Sequence, residues 1–121
     1  MIQKILKQVL ENKYSKNEAE QKRLLEVLFL TQEYLNNYNL SAIEIKFTKR
    51  KDALGLCSST GDTISLNLDF VMNDKLENII ETILHEIAHA MTSGEGHFIE
   101  WQIKAIELGL SYEHIQRYKE L

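Results

Sequence analysis

The sequence predicts an α+β domain: N-terminal helices, then a small three-stranded sheet of the antiparallel type, then further helices. Three observations predict this order. Apolar residues recur at helical spacing before residue 40, alternate with polar residues between 43 and 68, and return to helical spacing after 74. The chain has 121 residues, the length of one domain, so we expect residues 1–121 to share one hydrophobic core.

Two helices are predicted before the sheet. The apolar side chains of the first are Ile2, Ile5, Leu6, Val9 and Leu10. Lysines interrupt them, which favours an amphipathic helix packed on the domain over a signal peptide or a membrane-surface helix. The second helix runs from about Asn17 to Tyr38, because Asn17 followed by Glu20 is a pattern typical of a helix start.

Three short strands are predicted in the middle of the chain. Residues 43–48 and 63–68 alternate between apolar and polar side chains, and 54–58 is a further candidate between them. Gly61 and Asp62 indicate a turn. We therefore expect a meander in which residues 63–68 form an edge strand.

Helices are predicted again after the sheet. The third starts near Asp74, whose side chain can cap it, and stops at Gly94. A fourth begins near His97 and ends before Gly109, and Ser111 can cap a short last helix.

The charge balance and the cysteine count exclude several classes of protein. There are 14 Lys and Arg against 18 Asp and Glu, a net charge of −4, so the chain as a whole lacks the basic character of a nucleic-acid-binding protein. The single cysteine, Cys57, excludes an internal disulfide and a cysteine zinc cluster. No apolar run reaches the roughly 18 residues of a membrane span. We expect a cytoplasmic monomer without membrane contact.

The third predicted helix contains HEIAH, an HExxH motif at residues 85–89. His85 and His89, four residues apart, lie on one helical face, so their imidazoles can converge on one metal ion. Glu86 lies about 100° around the helix from His85, a position that suits a base for metal-activated water. Both histidines point about 150° or more away from the middle of the apolar arc, into water or into a cleft. The alternative is a surface helix with two solvent-exposed histidines.

A third ligand is predicted shortly after the motif. Gly94 and Gly96 permit a sharp turn, after which His97 can approach the first two histidines. Three histidines leave the fourth zinc position open, which is typical of a catalytic site. Glu100 is the alternative third ligand, or a residue that orients a ligand imidazole.

These residues belong to a longer segment that resembles a known protein family. HEIAHAMTSGEGHFIEW, with ALGLCSSTGDTISLN upstream and AIELGL downstream, resembles the catalytic core of the SprT-like, Spartan-related zinc metalloproteases. The resemblance covers roughly residues 43–110. It implies a minimal zincin fold with Glu86 as general base and Trp101 at an aromatic position. The zinc ligands that it implies are His85, His89 and His97.

The motif and the resemblance predict a zinc-dependent (Zn2+) metallopeptidase. Glu86 would act as general base on a protein or peptide substrate, DNA-associated proteins among them, bound along the edge strand 63–68. One alternative is a zinc-binding or DNA-associated interaction module with little turnover. Another is a regulatory peptidase of the ImmA/IrrE kind, which Glu100 as third ligand would favour.

Two further groups of residues have open interpretations. Three basic residues follow the first strand: Lys49, Arg50 and Lys51. They predict at most a weak contact with DNA phosphates, and the alternative is a hairpin end exposed to solvent. Tyr112, His114 and Tyr118 have side chains that can stabilise an oxyanion, but we expect them on the surface of the last helix.

Overall fold

Helices and strands follow one another in the predicted α+β order. A computed structural model describes residues 2–92 and 96–118, and this part of the chain contains six helices and three strands. In chain order they are α1 (Gln3–Leu10), α2 (Glu18–Asn37), β1 (Glu44–Thr48), β2 (Gly55–Cys57), β3 (Thr63–Asn67), α3 (Leu68–Asn73), α4 (Leu76–Met91), α5 (Ile99–Glu107) and α6 (Tyr112–Tyr118). The predicted fold class is confirmed.

The sheet is mixed, so the expected antiparallel meander is wrong. Its strand order is β1-β3-β2, with β1 parallel to β3 and β2 antiparallel to β3. Strand β3 is therefore central, and the prediction that residues 63–68 form an edge strand is also wrong. The alternation of apolar and polar residues shows which side chains of a strand face the core, but it does not show which strands pair with it. The segment 49–62 is long enough to bring the chain back to the start of β1, so that β3 can run beside β1 in the same direction. Strand β2 lies within this segment and runs in the opposite direction to β3.

The two N-terminal helices form as predicted. The amide nitrogen of Glu20 donates to Asn17 Oδ1 at 2.9 Å, which caps α2. Helix α1 buries Ile5 and Val9 against the core, whereas Leu10 from the predicted apolar face is 54% exposed.

Helix α3 was not predicted, because the alternation of TISLNL continues through Leu68. The strand ends one residue earlier, at Asn67, whose side-chain oxygen accepts from the amide nitrogen of Phe70 at 2.9 Å. This cap starts a helix inside the alternating pattern. Leu68 is buried as the first residue of that helix.

The C-terminal helices differ from the predictions at their ends. Helix α4 has Lys75 at its N-terminal cap position, and Asp74 instead accepts from the amide of Lys75 at 2.8 Å. The predicted stop at Gly94 lies outside the described residues; α4 ends at Met91. Helix α5 begins after Phe98, so His97 lies in the loop before it. Ser111 caps α6 as predicted, by accepting from the amide of His114 at 3.1 Å.

Helix α4 contacts β2, α2, α3 and α5, and it lies at the centre of the domain. Ile79, Ile83 and Ile87 are fully buried on this helix. Within the residues described, none of the helices combines the length and the apolar character that crossing a bilayer requires.

Truncating the middle of α4 should strongly destabilise the domain. Because Ile83 is fully buried, Ile83→Ala is expected to lower the free energy of unfolding by about 2–5 kcal/mol through lost burial and a residual cavity. Urea unfolding of the metal-free protein measures this. Ile103→Ala is the matched control, because Ile103 is 51% exposed on α5 and should change stability by about 0.5 kcal/mol or less. Equal losses in both variants would contradict the described core.

Candidate metal centre

The HExxH residues of α4 face a cleft rather than open water. His85 is 7% exposed and Glu86 6%, and His89 is half-buried. The cleft has a volume of about 850 Å³ and is lined by β2 and the loops flanking it, α4, the loop at residues 96–97, and α6. The alternative of two solvent-exposed histidines on a surface helix therefore does not hold.

Three imidazoles converge in this cleft. His97 Nε2 lies 2.9 Å from His85 Nε2 and 3.1 Å from His89 Nε2. A neutral ring nitrogen has either one hydrogen or one lone pair, so three such atoms cannot all satisfy one another, whereas one cation can accept all three lone pairs. Tetrahedral zinc with bonds of about 2.0–2.1 Å needs ligand nitrogens about 3.3–3.4 Å apart, a few tenths of an ångström beyond the spacings observed. Both of those spacings are to His97; the ligand atoms of all three residues lie within 4.8 Å of one another, so together they could hold such an ion once the side chains adjust.

The loop before α5 brings His97 to this point. Gly96 has φ +89°, and a Cβ at that position would lie 3.1 Å from the ring of Phe98. The side-chain amide of Gln102 donates to the backbone oxygen of His97 at 2.8 Å. Glu100 is exposed on the first turn of α5, outside the histidine cluster. Gly94, the other glycine of the predicted turn, lies outside the described residues.

Trp101 packs behind the three imidazoles. It is 2% exposed, and its ring centroid lies 4.7 Å from that of His85, 5.6 Å from that of His89 and 4.6 Å from that of His97. Its indole N–H donates to the backbone oxygen of His85 at 3.3 Å. Trp101 is therefore a packing residue, and its contacts restrict the orientation of all three rings.

Burial keeps the three imidazoles neutral. It is the main cause that lowers the pKa of His85 to about 2 and that of His89 to about 4, with neighbouring histidines adding to it. The pKa of His97 is lowered for the same reasons. A metal binds the neutral form of imidazole, so the cluster is in the binding form at neutral pH.

Glu86 is a buried carboxyl group beside the cluster. Burial raises its pKa to about 8, which makes it a stronger base than an ordinary glutamate. A divalent cation nearby would lower that value again. Strand β2 approaches this carboxyl closely: a Cβ on Gly55 would lie 3.3 Å from Glu86 Oε2 and 2.8 Å from Thr82 Cγ2.

The structure places His114 in the site, and the expectation that it lies on the surface is wrong. It is 4% exposed, and its Nε2 lies 2.9 Å from His85 Nδ1. The ring centroid of Tyr118 lies 4.6 Å from that of His85, whereas Tyr112 is 71% exposed. Only the way α6 folds back toward α4 brings these residues together, and local spacing contains no signal of it.

Cys57 is half-buried on β2, beside the cleft. Burial, with smaller contributions from the charges of Glu86 and Asp62, raises the pKa of its thiol to about 11. In the metal-free protein the thiol therefore stays protonated at neutral pH.

A protein-family model matches most of this chain. The model of the SprT-like family matches residues 11–118, a segment that contains the sheet and all four histidines described above. No curated protein matches the chain at a significant level.

Proposed function

The chain belongs to the SprT-like family, and on that premise we propose that it is a zinc-dependent metallopeptidase. The observation that carries the proposal is the convergence of His85, His89 and His97 in one cleft beside the buried carboxyl of Glu86. Three protein ligands leave the fourth position of a tetrahedral ion open for chemistry. A structural zinc site would be closed by a fourth protein ligand.

The chain's own residues would carry most of the reaction. A zinc ion held by the three imidazoles would polarise the scissile carbonyl and make the attacking water more acidic. Glu86 accepts the proton of that water and passes it to the leaving amine. Trp101 holds the imidazoles in place from behind, so the geometry is set before substrate binds.

We propose that a substrate peptide binds in extended form along β2. Among the described strands, β2 pairs with β3 alone, so its other edge is free to accept a further strand. The cleft runs beside this strand, and Gly55 lets the backbone pass close to Glu86. This assignment replaces the expected substrate strand at residues 63–68, which is covered on both edges.

The proposal is tested by cleavage of an unfolded protein or a peptide library by the zinc-loaded chain, with products identified by mass spectrometry. A chelator should stop cleavage and added zinc should restore it. Full zinc binding without cleavage of any substrate would instead favour the interaction module with little turnover.

DNA binding should be weak and sensitive to salt. The net charge is −4, and the guanidinium of Arg50 pairs with Asp52 at 2.6–3.0 Å. Among the described residues, no carboxylate forms an ion pair with Lys49 or Lys51. Fluorescence anisotropy of a labelled duplex should show binding at about 50 mM salt that is lost by about 200 mM.

Substituting all three cations of this cluster (Lys49→Ala, Arg50→Ala, Lys51→Ala) should abolish what binding there is. The control removes as many exposed lysines from the N-terminal region, at Lys4, Lys7 and Lys13, and should bind like the parent. Tight binding at physiological salt that survives the first set would contradict this placement of the contact.

A further inference from the structure

His85 has a second histidine partner, on the ring nitrogen that does not face His97. His85 Nδ1 lies 2.9 Å from His114 Nε2, and His114 Nδ1 lies 3.1 Å from Glu81 Oε2. Both histidines are nearly fully buried, at 7% and 4% exposure, while Glu81 lies at the surface end of the series. A continuous row of polar atoms therefore runs from the proposed metal site to a carboxylate.

The positions of the hydrogens in this row follow from the metal site. A neutral imidazole has one N–H and one lone pair. If His85 Nε2 gives its lone pair to a metal, the hydrogen of His85 is on Nδ1 and donates to His114 Nε2. The hydrogen of His114 is then on Nδ1 and donates to Glu81. Each N–H has an acceptor, and the row ends on an anion.

Arg117 can impose the opposite arrangement. Its Nη2 lies 3.4 Å from His114 Nδ1 and 3.7 Å from Glu81 Oε2, and a guanidinium group only donates. If Arg117 donated to His114 Nδ1, the hydrogen of His114 would be on Nε2 and would donate to His85 Nδ1. The hydrogen of His85 would then occupy Nε2 and block the metal. The anionic Glu81, at the shorter distance, favours the metal-binding arrangement.

We propose that His114 and Glu81 are positioning residues that hold His85 in the tautomer with its hydrogen on Nδ1. They thereby keep the Nε2 lone pair available for a divalent metal before the metal arrives. Turning the ring of His85 would be costly, because its Nδ1 would lose the contact with His114 in a side chain that is only 7% exposed. The inference rests on the proposed zinc centre, and it adds two residues that the HExxH motif does not contain.

The first test compares the zinc affinity of two variants at one position, by competition with a chromophoric chelator. His114→Ala removes the acceptor and should weaken zinc binding about 10- to 100-fold, the usual effect of losing the partner of a ligand histidine. His114→Gln should recover most of the affinity, because its amide oxygen can accept from His85 Nδ1–H. Ile115→Ala is the control: it is 3% exposed on the same helix, so it should lower stability but leave the zinc affinity of the folded protein unchanged.

The second test uses two surface residues and does not depend on the folding of a core variant. Glu81→Ala leaves Arg117 as the remaining partner of His114 Nδ1 and should weaken zinc binding about tenfold. Arg117→Ala removes the competing donor and should leave the affinity unchanged or raise it. Equal effects of the two substitutions would overturn the inference.

Histidine tautomers can also be read directly by long-range 15N–1H NMR correlation in the metal-free protein. His85 should carry its hydrogen on Nδ1 in the parent and lose this preference in Glu81→Ala. If the parent binds zinc but His114→Ala binds it equally well, or loses no more than Ile115→Ala, the inference fails and the zinc centre stands. If the parent binds no zinc, the proposed metal centre itself fails.

Discussion

Replacing Glu86 with glutamine should lower peptidase activity at least about a hundredfold and leave the zinc content near that of the parent. Glutamine keeps the size and the helix tendency of the side chain but cannot accept a proton. Glu86 is buried beside the histidine cluster and is not one of its three converging residues. The substitution therefore removes the proposed base while the metal ligands remain.

The measurement is the rate of peptide cleavage by zinc-loaded parent and variant at equal zinc content. Glu100→Gln is the matched control, because Glu100 is exposed on α5 and should tolerate the same change without loss of rate. If Glu86→Gln cleaves as fast as the parent, the hydrolytic mechanism is wrong. A loss in Glu100→Gln together with loss of zinc would make Glu100 a ligand.

Removing His97 should have a different effect, on the metal itself. His97→Ala takes away one of the three proposed ligands. Losing a residue that only hydrogen-bonds to a ligand lowers metal affinity by up to about a hundredfold, so losing the ligand itself should lower zinc affinity by at least that much. At free zinc of about one hundred times the parent's Kd, zinc stabilises the parent by about 2.7 kcal/mol. With a hundredfold weaker Kd, the variant would gain only about 0.4 kcal/mol.

Thermal unfolding with and without zinc measures this loss, together with a chelator titration. Phe98→Ala is the control, because Phe98 is the neighbouring residue in the same loop and its side chain is 69% exposed. It should bind zinc like the parent. Unchanged zinc stabilisation in His97→Ala would place the third ligand elsewhere.

Local sequence signals predicted five of the six described helices and the motif, because each depends on residues close together in the chain. The Asn17 cap and the spacing of His85 and His89 act within one or two helical turns. The direction in which the two histidines point followed from the apolar arc of the same helix. The apolar arc did not show whether the two histidines face solvent or a cleft, because residues that line the cleft belong to β2 and α6.

The features that were missed depend on contacts distant in sequence. The parallel pairing of β1 with β3 cannot be read from alternation, which is the same for either direction of a neighbour. Strand β3 ends earlier than predicted because the side chain of Asn67 caps helix α3 by accepting from the amide of Phe70. His114 lies 29 positions after its partner His85, and only the packing of α6 brings the two rings together.

The most direct test of the account is a crystal structure of the zinc-loaded protein with anomalous diffraction data at the zinc absorption edge. The account predicts one strong peak per chain, within about 2.0–2.1 Å of the Nε2 atoms of His85, His89 and His97, with the carboxyl of Glu86 off the metal. A peak bound by fewer than all three histidines, or one bound directly by Glu86, would contradict it.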